Sequence, residues 1–192
     1  MPISLICIIG TAADATDKYP LDTPVLISVA SNAAYAALGT AGTLQKALDD
    51  VRDQIGANVV IIRIEHSGTA DELTSRMTEK VQLLRGVESV VGEKSKVLIT
   101  PGFTTIQKIK ANPVMAEVLS VADGLRAMVI ADGTNINNTD AIQARSHYGS
   151  KRLVIVDPGV KVWDTVTNDY ALARIAGVCL LKMMLSVVHF TA

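Results

Sequence analysis

The stretch Gly149-Ser150-Lys151-Arg152-Leu153-Val154-Ile155-Val156-Asp157-Pro158-Gly159-Val160-Lys161-Val162-Trp163-Asp164 decides how the rest of the chain is read. It opens on a polar, basic step, Ser150 to Arg152. The apolar run Leu153 to Val156 follows, rich in β-branched side chains, and reads as a buried strand. Asp157-Pro158-Gly159 ends it, because Pro fixes φ and Gly tolerates φ > 0. Val160-Lys161-Val162-Trp163 then alternates apolar and polar, as a short strand or an extended edge with one wet face does. No catalytic spacing is visible in this stretch.

The same alternation of apolar run and turn former recurs toward the N-terminus. Ile3 to Ile9 is a strand closed by Gly10-Thr11-Ala12. A polar loop, Asp14 to Thr23, leads through Pro24 into a second strand, Val25 to Val29. Ser31 or Asn32 can cap a short helix reaching about Leu38. Leu44, Ala47, Leu48, Val51 and Ile55 form one helical stripe, with Thr43 as N-cap and Gly56 as the stop. Val59 to Ile64 is apolar on both faces apart from Arg63, as in a parallel sheet covered on both sides.

Thr69-Ala70-Asp71-Glu72 is a capping-box pattern, and the helix it opens carries Leu73, Met77, Val81 and Leu84 on one face. Gly86 is expected to break that helix, with Val87 to Val91 adding a turn. Val97 to Thr100 is a strand closed by Pro101-Gly102. Asn112-Pro113 starts a helix with Pro at its first position. Ala127 to Ala131 is a strand ending at Asp132-Gly133, and a helix spans about Asp140 to Arg145. Asn168 to at least Gly177 reads as helical. Strand and helix alternate throughout, which predicts an α/β fold: a mostly parallel sheet with helices on both faces.

Of the 192 residues, 49% are hydrophobic and 4% aromatic, so the expected core is aliphatic. Lys plus Arg number 18 and Asp plus Glu 19, a net charge of −1 that argues against a nucleic-acid footprint and does not oppose self-association. Cys7 and Cys179 are far apart and show no metal-ligand spacing, so no metal, no cofactor and no disulfide are expected. Ile3 to Gly10 lacks a basic leader, and Lys182 interrupts the apolar run Ile175 to Phe190, which is shorter than a membrane span needs. A cytosolic chain is expected, with neither nucleic acid nor membrane as partner.

Several polar residues fall at predicted strand ends: Thr11, Asp14, Glu65, His66, Thr100, Asp132 and Asp157. Converging carboxylates could bind a cation or work as acid and base, which makes an enzyme or nucleotide-binding protein using Asp132 and Asp157 the alternative reading. Each is followed closely by a turn former, so turn chemistry explains them as well. Gly10-Thr11-Ala12-Ala13 lacks the later glycines of a dinucleotide fingerprint, and Gly149-Ser150-Lys151 lacks the upstream glycine of a P-loop. No Gly-x-Ser-x-Gly elbow exists. No catalytic residue is assigned. Lys151, Arg152, Lys161 and Trp163 are the candidate interface residues: two adjacent cations, a third on the alternating run, and the only tryptophan.

The opening stretch also resembles the sheath subunit of contractile phage tails and of R-type pyocin-like particles. The resemblance continues in order through Ile8-Ile9-Gly10-Thr11-Ala12, Pro20-Leu21-Asp22-Thr23-Pro24-Val25, Glu88-Ser89-Val90-Val91-Gly92, Leu98-Ile99-Thr100-Pro101-Gly102-Phe103 and Ile130-Ala131-Asp132-Gly133. It covers residues 3–177, expected as one sheath-like α/β domain. The apolar tail 178–192 does not match. The resemblance implies a non-enzymatic structural subunit that packs against other sheath subunits and, in a full-length context, against tail tube and baseplate. It implies a place in a virion or tail-like particle, after assembly in the bacterial host cytoplasm. Family members carry linking segments before the part matching Ile3 and after the part matching Gly177. A monomer or small oligomer is therefore the expectation for this chain alone.

Overall fold

The structure is a computed structural model, and it describes residues 5–54, 57–159, 161–164 and 168–172. Strand β1 (Leu5–Thr11) lies at the centre of a six-stranded sheet. Beside it on one side is β3 (Asn58–Ile64), and beyond that the edge strand β2 (Pro24–Ser28). On the other side follow β4 (Ser95–Ile99), β5 (Met128–Asp132) and β6 (Leu153–Val156). All neighbours pair parallel except β2 with β3. Such a sheet needs long crossovers, and helices supply them.

Helices α1 (Asn32–Ala36) and α2 (Leu44–Gln54) cover one face. Their Leu44, Ala47, Leu48 and Val51 pack on Ile6 and Ile8 of β1, Ile61 of β3 and Ile99 of β4. Helix α3 (Ala70–Lys80), a 3-10 turn (Val81–Gly86), α4 (Val87–Val91), α5 (Pro113–Leu125) and α6 (Asn138–Arg145) cover the other. There Met77, Val81, Val114 and Val118 meet Cys7 and Ile9 of β1. Both faces of β1 are therefore dry, and all seven of its residues are buried. The α/β class with a mostly parallel sheet and helices on both faces is as the sequence predicts.

Local sequence chemistry sets most of the helix ends. Thr69 accepts from the Glu72 N–H, and Glu72 returns a bond to the Thr69 N–H at 2.7 Å, completing the capping box. Asn112 caps α5 through the Val114 and Met115 N–H groups, with Pro113 at the first position. The Asn112 amide also donates to the Phe103 and Thr105 carbonyls, which closes the preceding loop. Thr69→Ala is expected to cost about 1 kcal/mol of stability, the usual loss for a helix cap. Urea unfolding followed by circular dichroism checks this, and an unchanged midpoint would contradict it.

The structure corrects five local expectations. The run from Asn168 is not helical where it is described: Asp169–Leu172 is strand β8, paired antiparallel with β7 (Lys161–Asp164) in a separate two-stranded sheet. Asn168 has φ 53°, a left-handed turn conformation that Asn tolerates and that opens a strand here. Gly86 does not break α3; it sits in right-handed helical geometry between the 3-10 turn and α4, and Gly92 at φ 79° ends the segment. Thr43 does not give its side chain to α2; its hydroxyl accepts from the Thr11 N–H instead. Strand β6 is an edge strand with Val154 and Ile155 half-buried, not a fully covered one. The loop 14–23 holds Tyr19, fully buried, its hydroxyl donating to the Ala34 carbonyl at 2.8 Å.

Ile3, Gly56, Val160, the chain past residue 172, and with it Cys179, His189 and the tail 178–192, lie outside the described residues. Among the described residues no helix is long and apolar enough to cross a membrane.

Candidate functional site

The parallel strands run in the order β3-β1-β4-β5-β6, so the winding reverses between β1 and β4. In open α/β sheets the crevice at such a reversal, beyond the strand C-termini, is where ligands settle. Here the chain itself occupies that place. The Thr43 N–H donates to the Thr11 carbonyl at 2.9 Å, and the Thr11 N–H donates to the Thr43 hydroxyl at 3.2 Å. A Cβ at Gly10 would come within 2.6 Å of that hydroxyl, and one at Gly102 within 3.3 Å of the Thr43 methyl. Thr11 and Thr100, read from the sequence as strand-end polar groups, are both buried.

Two of the strand-end carboxylates, Asp14 and Asp157, hold loops. Asp14 accepts from the Thr40 N–H at 2.8 Å and the Ala41 N–H at 2.9 Å, and those backbone bonds hold its carboxyl below the ordinary range. Asp157 accepts from the Thr134 hydroxyl and the Asn135 N–H, both at 3.2 Å, tying the end of β6 to the end of β5. Glu65 stands 3.7 Å from Arg76. Asp132 uses its backbone carbonyl to accept from the Ile106 N–H. His66 is exposed. Among the described residues no group of three or more His, Cys, Asp or Glu is arranged to hold a metal ion. Cys7 lies in the core 2.8 Å from the Ser95 hydroxyl, and burial pushes its thiol up to about 11. It is therefore protonated at neutral pH and a poor nucleophile.

The candidate interface residues fall into two separate places. Lys151 and Arg152 precede the N-terminal end of β6, while Lys161 and Trp163 lie on β7, past its C-terminal end. Trp163 keeps 50% of its surface exposed and stands opposite Tyr170 in the hairpin register. Arg152 pairs with Asp123 at 3.1 Å, and its carbonyl accepts from the Val129 N–H. That bond draws the two cations beside the start of β5.

Lys151 and Arg152 thereby join a basic rim that the sequence reading missed. Lys94, Lys96 and Arg126, with Glu88, Gly124 and Leu125, line an open groove of about 280 Å³ below the starts of β4 and β5. Lys94 sits 3.7 Å from Glu88. The signal was present in the chain: each cation lies within two residues of the first residue of a neighbouring parallel strand. Adjacency of β4, β5 and β6 then gathers them at one end of the sheet.

The doubly wound sheet with helices on both faces defines the class: an open α/β domain whose strand-end crevice is filled by its own chain. Three curated relatives are tail sheath proteins. Over 167 residues the chain is 29% identical to a "Putative prophage major tail sheath protein" of Pseudomonas aeruginosa (strain UCBPP-PA14), covering 85% of this chain and 43% of that one. It is 29% identical to the "Tail sheath protein" of Escherichia phage P2, over 91% of this chain and 47% of that one. It is 26% identical to the "Major tail sheath protein" of Serratia phage KSP20, over 82% of this chain and 41% of that one.

Among solved structures, the anti-feeding prophage (AFP) helical sheath in its contracted state shares the fold, with a TM-score of 0.52 and 15% identity. That match covers 95% of this chain and 46% of that one. No protein-family profile matches the chain. The chain spans less than half the length of the curated relatives it matches. The resemblance to tail sheath proteins read from the sequence holds across most of the chain.

Proposed function

We propose that the chain is a structural domain of a contractile-tail sheath subunit and works by packing rather than by catalysis. The observation that carries this reading is the agreement of three tail sheath proteins over 82% to 91% of the chain. The fold supports it, since the same arrangement occurs in a helical sheath. The filled crevice between β1 and β4 supports it further, because Thr43 stands where a ligand of an α/β enzyme would lie. Its partners are other sheath subunits, with tube and baseplate reached in the full-length context. Its place is the tail or tail-like particle, after assembly in the host cytoplasm.

Lys161 and Trp163 on the β7–β8 hairpin are proposed as one contact of this domain, with Trp163 as the apolar anchor. A graft tests the reading. Residues 5–172 replace the matching half of the Pseudomonas prophage sheath protein, and tubes are scored by negative-stain electron microscopy. Sheath-like tubes are the expected result, and Trp163→Ala in the graft is expected to reduce their number. A folded graft that forms no tubes would overturn the reading.

A further inference from the structure

Charge is distributed along the strand direction. Segments 85–96, 123–127 and 150–152, at the N-terminal ends of β4, β5 and β6, carry six basic residues against three acidic ones. The loops at the opposite end, 12–23, 65–72, 101–112, 132–140 and 157–159, carry nine acidic residues against three basic ones. Both rims are exposed at their key positions, including Lys96, Arg126 and Lys151 on one and Asp17 and Asp71 on the other. Internal pairs do not cancel the difference. On the basic rim Glu88 answers Lys94 and Asp123 answers Arg152. Lys96, Arg126 and Lys151 have no acidic partner among the described residues. On the acidic rim Asp22 pairs with Lys80, Asp140 with Lys108 and Glu65 with Arg76, while Asp14, Asp17, Asp71, Glu72 and Asp157 form no salt bridge among the described residues. Asp14 is held by N–H groups, which satisfy its oxygens and leave its charge in place.

We propose that copies of this chain stack head to tail, the basic rim below β4–β6 of one copy facing the acidic strand-end rim of the next. A two-fold dimer through either rim would set like charge against like. The favourable contact is heterologous, and a heterologous contact repeats into a ring or an open helix rather than closing at two. Complementary rims also steer approach and fix register more than they add affinity. Individual exposed pairs contribute little, so the contact is weak and salt-sensitive. The occupant, a second copy, rests on the sheath reading; the polarity rests on the charges alone.

Sedimentation velocity of the full chain tests this at low and at high salt. The parent is expected to self-associate beyond a dimer in low salt and to dissociate in high salt. Lys96→Glu with Lys151→Glu, which leaves four basic against five acidic residues on its rim, is expected to abolish association, and Asp17→Lys with Asp71→Lys, which leaves seven acidic against five basic, to weaken it. Mixing the two double variants is expected to give a one-to-one complex, because the unaltered acidic rim of the first then meets the unaltered basic rim of the second; that rescue also shows that both are folded. Association that survives high salt, or that either double variant retains undiminished, would overturn the proposal. So would a parent that stays monomeric in low salt, even one whose basic rim retains an acidic polymer such as heparin. A parent that associates while the graft forms no tubes keeps the contact and removes the sheath reading; the reverse removes only the contact.

Discussion

Ile8→Ala is expected to lower the stability of the chain by about 3–4 kcal/mol, within the range for large-to-small changes in a closed core. Ile8 is fully buried at the middle of the central strand. Its neighbours in register are Ile61 of β3 and Ile99 of β4. It belongs to the cluster that α2 supplies through Leu44, Leu48 and Val51. None of these can collapse into the space without moving the sheet, because strand register is set on both sides. The loss therefore includes a cavity as well as the missing methyl and methylene groups. In a chain of this size each kcal/mol moves the melting temperature by about 2–4 °C, so a fall of roughly 10 °C is expected. Ile8→Val, which removes a single methylene, is expected to cost about 1 kcal/mol. Thermal melts and urea titrations of the two variants measure both. A change below 1 kcal/mol for alanine would mean that the sheet centre is not packed as described.

Gly42→Ala is expected to cost about 2–5 kcal/mol, from backbone strain and from forced displacement together. Gly42 has φ 123°, a conformation that side chains rarely adopt, and an added Cβ would lie 2.3 Å from the Thr11 carbonyl oxygen. That oxygen belongs to the backbone and is held by the Thr43 N–H, so it has little room to yield. The turn that fills the crevice between β1 and β4 would have to move. Gly86→Ala is the matched control. Nothing lies within 4 Å of its added Cβ, and its φ of −85° suits alanine. It is expected to be neutral or to stabilise by up to about 1 kcal/mol through the unfolded chain. Equal midpoints for the two variants would sink the argument.

The alternation of apolar run and turn former, from Ile6-Cys7-Ile8-Ile9 to Leu153-Val154-Ile155-Val156, was enough to place the strands and the class of fold. Strand periodicity and crossover helices are local patterns that neighbouring residues dictate. Thr69 with Glu72, and Asn112 with Pro113, marked their helix starts for the same reason: a cap acts within one turn. The Asp157-Pro158-Gly159 and Asp132-Gly133 steps were readable as turns, and Asp157 does spend its carboxylate on a neighbouring turn. The ordered resemblance to tail sheath proteins was likewise carried by short stretches such as Leu98-Ile99-Thr100-Pro101-Gly102-Phe103.

Other features depend on which segments become neighbours. Asn168 to Leu172 had helical composition but found a partner strand in Lys161–Asp164, and pairing outweighed propensity. Thr43 looked like a cap for its own helix until β1 came close enough to take its hydroxyl. Tyr19 sat in a polar loop, and only the approach of α1 explains why it is buried. Lys94, Lys96, Arg126 and Lys151 are scattered over 58 positions of the chain. The order β4-β5-β6 makes them one rim. Charge in a sequence is a list, and only the sheet gives it a direction, because parallel strands bring every strand start to the same end.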